Sequence, residues 1–201
     1  MMEEIQVKQE RGQIQDVDPD YTAVETLGLR LDLACGERKD KGFTGVDAAN
    51  LSGVDIICNL DEYDWPFEEH SVIEIRCSHY LEHTKDIKRF MEEAYRVLTP
   101  SGIMTITCPY YTSVRAFMDY THVRPISENT FIYFNQPWLA SQLLKHYNVQ
   151  CDFDINSIRY IFSPAWEPRA NEAREYARTH YWNVVQDIII QLRAVKPMRE
   201  K

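Results

Sequence analysis

Leu29-Arg30-Leu31-Asp32-Leu33-Ala34-Cys35-Gly36, followed closely by Gly42-Phe43-Thr44-Gly45-Val46-Asp47, is the stretch whose reading decides the fold. Leucines at 29, 31 and 33 alternate with Arg30 and Asp32, which is a strand pattern, and the run ends in an acid and turns at a glycine. Phe43 to Val46 reads as a second strand that also ends in an acid, Asp47. The charged tract Glu37 to Lys41 between them is too short for the crossover helix that parallel strands usually use, so a loop or a single helical turn is expected there. Acids at the carboxyl ends of neighbouring parallel strands are how an open sheet presents a ligand crevice.

Working outward, Val54 to Leu60 reads as a third strand ending at Asp61, and Asp64-Trp65-Pro66-Phe67 as a turn. Val72 to Cys77 forms a fourth strand, breaking at Ser78-His79. Thr84 is placed as the N-cap of a helix in which Ile87, Phe90, Met91, Ala94, Tyr95 and Leu98 share one face. Pro100-Ser101-Gly102 stops that helix, and Ile103 to Cys108 forms a fifth strand. Further helices are expected near Glu128 to Phe134 and over Trp138 to His146, strands over Val149 to Phe153 and Ile158 to Phe162, and a solvated helix over Ala170 to Thr179. Tyr181 to Ala194 fits a helix and a strand equally well. Strands read as nearly continuous apolar runs imply a largely parallel sheet covered on both faces, and the fold class is α/β.

The 201-residue length matches one domain, expected over residues 21–201, with polar residues 1–20 as a flexible arm and Tyr21 to Leu27 as a leader against the first strand. Five scattered cysteines without a C-x-x-C pair are expected to be free thiols in a reducing, cytoplasmic setting. No apolar run is long enough for a membrane span, and no signal-peptide layout is present, so no membrane association is expected. A net charge of −9 argues against broad contact with nucleic-acid backbones without excluding a local patch. Oligomeric state is left open by these features.

Asp32 to Gly36, Asp47, Asp61 and Cys77 to His79 are the residues that such a sheet brings to its crevice. Three acids suit a ligand with hydroxyl and amino donors, and no G-x-G-x-x-G loop is present for a pyrophosphate. At this point the chain resembles the class I S-adenosylmethionine-dependent methyltransferases, in particular the small branch of the type 11 domain. The likeness rests on Asp-x-x-Cys-Gly with Gly-Phe-x-x-Val-Asp, then on four blocks in the same order. They are Asn59-Leu60-Asp61 with Trp65-Pro66-Phe67, His79-Tyr80-Leu81-Glu82-His83, Phe90 to Gly102, and Asp119-Tyr120-Thr121-His122-Val123-Arg124-Pro125.

The resemblance implies a Rossmann-like, mostly parallel seven-stranded sheet with helices on both faces and an antiparallel last strand, expected over Asp187 to Val195 near the sheet edge. It implies S-adenosylmethionine as cofactor, with Asp32, Ala34, Cys35 and Gly36 along its methionine part and Asp47 accepting both ribose hydroxyls. Asp61 with Leu60 would meet the adenine, and His79 would lie below the methionine. The reaction implied is methyl transfer to an oxygen or nitrogen acceptor, a small molecule, nucleotide or sugar. Two departures stand out: Ala34 replaces the first glycine of the family's Gly-x-Gly pair, with Glu37-Arg38 near the second, and Asp-Tyr-Thr-His replaces Asp-Pro-Thr-His.

His83, His122 and Tyr110 are the candidate catalytic groups, since an imidazole can take a proton near neutral pH and the tyrosines can frame an acceptor pocket. Glu82 and His83 could instead simply fix their loop, and the tyrosines could be half-buried packing. Asp119 and Arg124 could pair to hold the same loop. His79-x-x-Glu82-His83 also matches the H-x-x-E-H pattern of inverted zinc peptidases, but that site needs a helix, and the motif lies between a strand end and Thr84. No metal is therefore expected. The alternative from another class is a module of the same fold that binds S-adenosylmethionine or a nucleotide without turnover.

Overall fold

The computed structural model describes residues 28–62 and 64–200; the expectations for residues 1–20 and 21–27 lie outside them. One seven-stranded sheet runs β3 (Ile56–Ile57), β2 (Thr44–Asp47), β1 (Leu29–Leu33), β4 (Val72–Ser78), β5 (Leu98–Pro109), β7 (Val185–Ala194), β6 (Phe153–Phe162). β1 pairs in parallel with both β2 and β4, so strand order reverses between them, and β2–β3 and β4–β5 are parallel as well. β7 is antiparallel to both β5 and β6. The ambiguous carboxyl-terminal segment is thus a strand, inserted between β5 and β6 rather than at the edge, which β6 occupies. Ladder partners on both sides choose the extended form where side-chain periodicity alone is neutral.

The strands are not apolar throughout. Leu31, Leu33, Ile75, Cys77, Met104, Ile106 and Cys108 are buried on one face, whereas Arg30, Glu74, Arg76, Thr105 and Thr107 alternate with them and stay partly exposed. The loop after β1 covers part of that second face. Phe43 packs under two guanidinium groups, with Arg30 Cζ 4.2 Å and Arg76 Cζ 4.4 Å from its ring centre. Arg30 pairs with Glu74 at 2.9 Å, and Arg76 pairs with Asp40. No helix intervenes between β1 and β2, as the short charged tract requires. A side chain at Gly45 would bring its Cβ within 2.3 Å of the Gly53 carbonyl oxygen, so this compact pair of crossovers depends on that glycine.

Helix α1 (Ile87–Val97) buries Phe90, Met91, Ala94 and Val97, each large apolar side chain contributing about 1.5–3 kcal/mol. Phe90 meets Trp65 edge-on at 5.3 Å and Tyr80 at 5.5 Å. Its cap is Asp86, whose carboxylate accepts from the Arg89 amide at 3.0 Å. Thr84 is not the cap; its hydroxyl turns away to donate to Asp61 at 2.6 Å. α2 (Arg115–Met118) follows β5, a 3-10 helix spans Glu128–Phe134, α3 is Gln136–Ser141 and α4 is Asn171–His180. The helix expected to His146 ends at Ser141, and strand pairing begins only at Phe153.

Candidate active site

At the carboxyl end of β1 the chain turns through two left-handed residues, Ala34 at φ 55° and Gly36 at φ 54°. The Gly36 amide donates to Asp47 Oδ2 at 3.0 Å and the Ala49 amide to Asp47 Oδ1 at 2.9 Å. Both carboxylate oxygens of Asp47 are thereby oriented at the end of β2, and each keeps a lone pair for a further donor. A Cβ at Gly36 would meet nothing within 4 Å, so open space lies beside this turn. Ala34 is the exception in this loop. An L-residue in this region costs about 1–2 kcal/mol, which glycine avoids. Part of the gain is offset because glycine gives the unfolded chain more freedom. Ala34→Gly is expected to stabilise the protein by about 1 kcal/mol, raising Tm by roughly 3 °C; an unchanged or lower Tm in a thermal melt would show that the alanine is unstrained.

The other residues expected at the crevice divide in two. Asp32 is buried and accepts from the Asp40 amide at 2.8 Å, so it anchors the loop from beneath; burial raises its carboxyl above the usual range. The Cys35 thiol points to the Gly36 and Gly53 carbonyls at 3.4 and 3.6 Å, into the loop packing rather than outward. Burial, followed by the nearby Asp32 and Asp47 charges, pushes that thiol up to about 11. Its thiolate is then scarce at pH 8, and Cys35 is expected to alkylate at least ~10-fold more slowly than free cysteine in a mass-spectrometric time course; labelling at the free-thiol rate would contradict this packing. Leu60 is buried, leaving only its backbone for a ligand. Asp61 Oδ1 accepts from the Tyr80 hydroxyl at 3.2 Å as well as from Thr84.

His79, left-handed at φ 55°, ends β4 with its amide donating to the Thr107 carbonyl at 2.8 Å. Its ring Nδ1 lies 3.3 Å from Glu82 Oε1, and that hydrogen bond raises its pKa against the opposing effect of burial. It lines a cleft of about 520 Å³ together with Glu82, His83, Arg115, Asp119, Tyr120 and His122. The His83 and His122 rings meet edge-on with centres 4.6 Å apart. Arg115 on α2 reaches Asp187 of β7 at 2.6 Å; burial raises the Asp187 carboxyl even so.

Two expectations are corrected here, and a third feature takes the non-helical form its position implies. Tyr110 does not reach the cleft: its ring is fully buried against Tyr111 and Tyr160, and its hydroxyl lies 3.4 Å from both Glu128 and Arg178. Arg124 does not pair with Asp119 but donates to the Leu81, Thr84 and Lys85 carbonyls, tying the 81–85 turn to the 119–125 loop. The H-x-x-E-H motif forms a turn, with the His83 amide donating to the Tyr80 carbonyl at 2.9 Å, so His83 converges with His122 rather than with His79. Arg115 and Asp187 were not anticipated at all. They are 72 positions apart, and nothing local marks either one.

The fold has known counterparts. Residues 31–106 match the profile of a family described as a methyltransferase domain. Over this stretch, somewhat more than a third of the chain, the sequence is similar to that domain. Among solved structures, an Archaeoglobus fulgidus S-adenosylmethionine-dependent methyltransferase shares 17% identity over 87% of this chain and 90% of its own, with a TM-score of 0.56. A Mesorhizobium loti S-adenosylmethionine-dependent methyltransferase shares 12% identity over 87% and 97% of the two chains, with a TM-score of 0.50. An arsenic(III) S-adenosylmethionine methyltransferase of Chlamydomonas reinhardtii shares 18% over 87% of this chain and 65% of its own, at 0.51. Among curated proteins no sequence matches. The likeness to these structures is one of fold, and the reversal of strand order between β1 and β4 falls where an open sheet of this kind binds its ligand. No helix among the described residues is long and apolar enough to cross a membrane.

Proposed function

We propose that this chain transfers a methyl group from S-adenosylmethionine to an oxygen or nitrogen of a small acceptor, a nucleotide or sugar included, bound in the cleft beside His79. The observation that carries the reading is the Asp47 turn: a carboxylate aimed by two backbone amides, next to open space over Gly36 and at the same carboxyl edge of the parallel strands as the cleft. That arrangement fits the cofactor, with Asp47 taking the ribose hydroxyls, Gly36 and the backbone of Ala34 and Cys35 admitting the methionine part, and Asp61 facing the adenine. When bound, the cofactor supplies a methyl carbon activated by its sulfonium. Asp32 acts beneath the site by fixing the loop. A cleft of about 520 Å³ suits a small-molecule acceptor.

The chain's own contribution is positional. Holding donor and acceptor in line at ~3 Å is worth up to roughly 7–11 kcal/mol of barrier, more than acid–base help supplies. His83 and His122 line the cleft in which the acceptor's reacting group is held. Titration calorimetry with S-adenosylmethionine and S-adenosylhomocysteine tests the reading. Saturable binding of both is expected, and none at millimolar ligand overturns it. Binding with no S-adenosylhomocysteine formed on a panel of hydroxyl and amine acceptors would favour the non-catalytic module instead.

A further inference from the structure

We propose that Glu82, His83 and His122 form a binding site for a divalent transition-metal cation at the floor of the acceptor cleft. One ligand atom from each of the three lies within 4.8 Å of those from the other two, so side-chain movements of about 1 Å bring them to bonding distance around one ion. Glu82 is 2% exposed and lines the cleft, and its Oε2 has no hydrogen-bond partner, while Oε1 faces His79. A buried carboxylate oxygen without a donor costs free energy unless something positive meets it there.

The outer hydrogen bonds leave both histidines ready to ligate. Thr121 Oγ1 gives its one proton to Asp119 Oδ1 at 2.7 Å, so at 2.9 Å it accepts from His83 Nδ1–H. His122 Nδ1 lies 3.1 Å from the Ala116 carbonyl, which can only accept. In each ring Nδ1 therefore carries the proton and Nε2 keeps its lone pair, the state a metal requires. The Asp119–Thr121–His83 relay and the Ala116–His122 bond are the outer partners that fix a ligating imidazole. Two imidazole nitrogens and one carboxylate oxygen suit zinc, cobalt, manganese or iron(II), and not the oxygen sets of magnesium or calcium. Three protein ligands leave coordination positions open toward the cleft.

This deepens the methyl-transfer reading and rests on it only for the use of those open positions, which an acceptor hydroxyl would occupy; the metal site stands apart from the cofactor. The test uses the full chain, stripped with chelator and without S-adenosylmethionine. Co²⁺ is followed by its visible absorption and Zn²⁺ by calorimetry. One ion per chain is expected. Glu82→Gln and His122→Gln should each weaken binding by about 100-fold or more, and Thr121→Val by about 10-fold, with circular dichroism confirming that the variants fold. His180→Gln, on α4, should change nothing. Binding that survives Glu82→Gln and His122→Gln would place the ion on surface histidines and overturn the proposal, as would no binding or Mg²⁺ binding as tight as Zn²⁺. A chain that takes the metal but not S-adenosylmethionine would keep this site and reject the methyl-transfer reading.

Discussion

Glu93→Ala is expected to lower the unfolding free energy by about 3 kcal/mol, the range found when one member of a buried, hydrogen-bonded charge pair is removed. Glu93 is 7% exposed on the inner face of α1. Its Oε2 accepts from the Trp65 amide at 3.1 Å, and both oxygens accept from Arg96 at 2.9–3.0 Å. Arg96 in turn donates to the Phe67 carbonyl at 2.9 Å and the Trp65 carbonyl at 3.1 Å. The pair therefore pins the Trp65-Pro66-Phe67 turn to α1, and alanine would leave a buried amide without an acceptor. Arg96 is about a third exposed, which keeps the loss from reaching the top of that range.

The same pair sets a pH dependence. Burial alone would raise the Glu93 carboxyl, but Arg96 and the Trp65 amide outweigh it and hold the carboxyl below its ordinary 4.5. A depressed acid stabilises the folded state above its unfolded pKa and loses that contribution as pH falls through the folded value. Urea unfolding at pH 7 should show the full difference between wild type and Glu93→Ala, and the gap should narrow below about pH 4.5. A loss under about 1 kcal/mol at pH 7, or a gap that widens in acid, would mean that the pair is not stabilising. Glu93→Gln keeps an acceptor for the Trp65 amide and should fall between the two.

On the proposed assignment of Asp47 to the ribose hydroxyls, Asp47→Ala should reduce affinity for S-adenosylmethionine by about 30-fold, or ~2 kcal/mol, through loss of a charged acceptor. Two effects contribute. The hydroxyls lose their partner, and the Gly36 and Ala49 amides that Asp47 now gathers lose theirs. Asp47→Asn keeps one side-chain oxygen and should lose less. Calorimetry with S-adenosylhomocysteine separates recognition of the nucleoside from recognition of the sulfonium, and both ligands should weaken alike. Unchanged affinity for either would remove Asp47 from the cofactor site, whatever the fate of the loop.

Much of this architecture was legible residue by residue. Leu29 to Gly36 and Phe43 to Asp47 declared two parallel strands because a period of two ending in an acid and a glycine admits few other structures. The α1 pattern was clear because its apolar face must be buried. Its start is Asp86 and not Thr84, a choice local sequence leaves open because both residue types cap helices and only the partner at Asp61 shows where the Thr84 hydroxyl goes. Residue type suits Tyr110 to an acceptor pocket but carries no information about the direction of its ring. Its burial against Tyr160 follows from β6 joining the sheet two positions from β5.

Local chemistry, then, was enough for the strand ends, the short crossover and the acids that crown them, since backbone preference and burial period act between near neighbours. Tertiary structure alone decided the rest. β7 is a strand because β5 and β6 satisfy its backbone on both sides, a requirement that side-chain periodicity does not express. Glu82 and His83 meet His122 across 40 and 39 positions because the turn after β4 and the loop after α2 are tied together by Arg124 and by the Val123 amide on the Glu82 carbonyl. Convergence of that kind is a property of the packed chain, where distance along the sequence no longer measures distance in space.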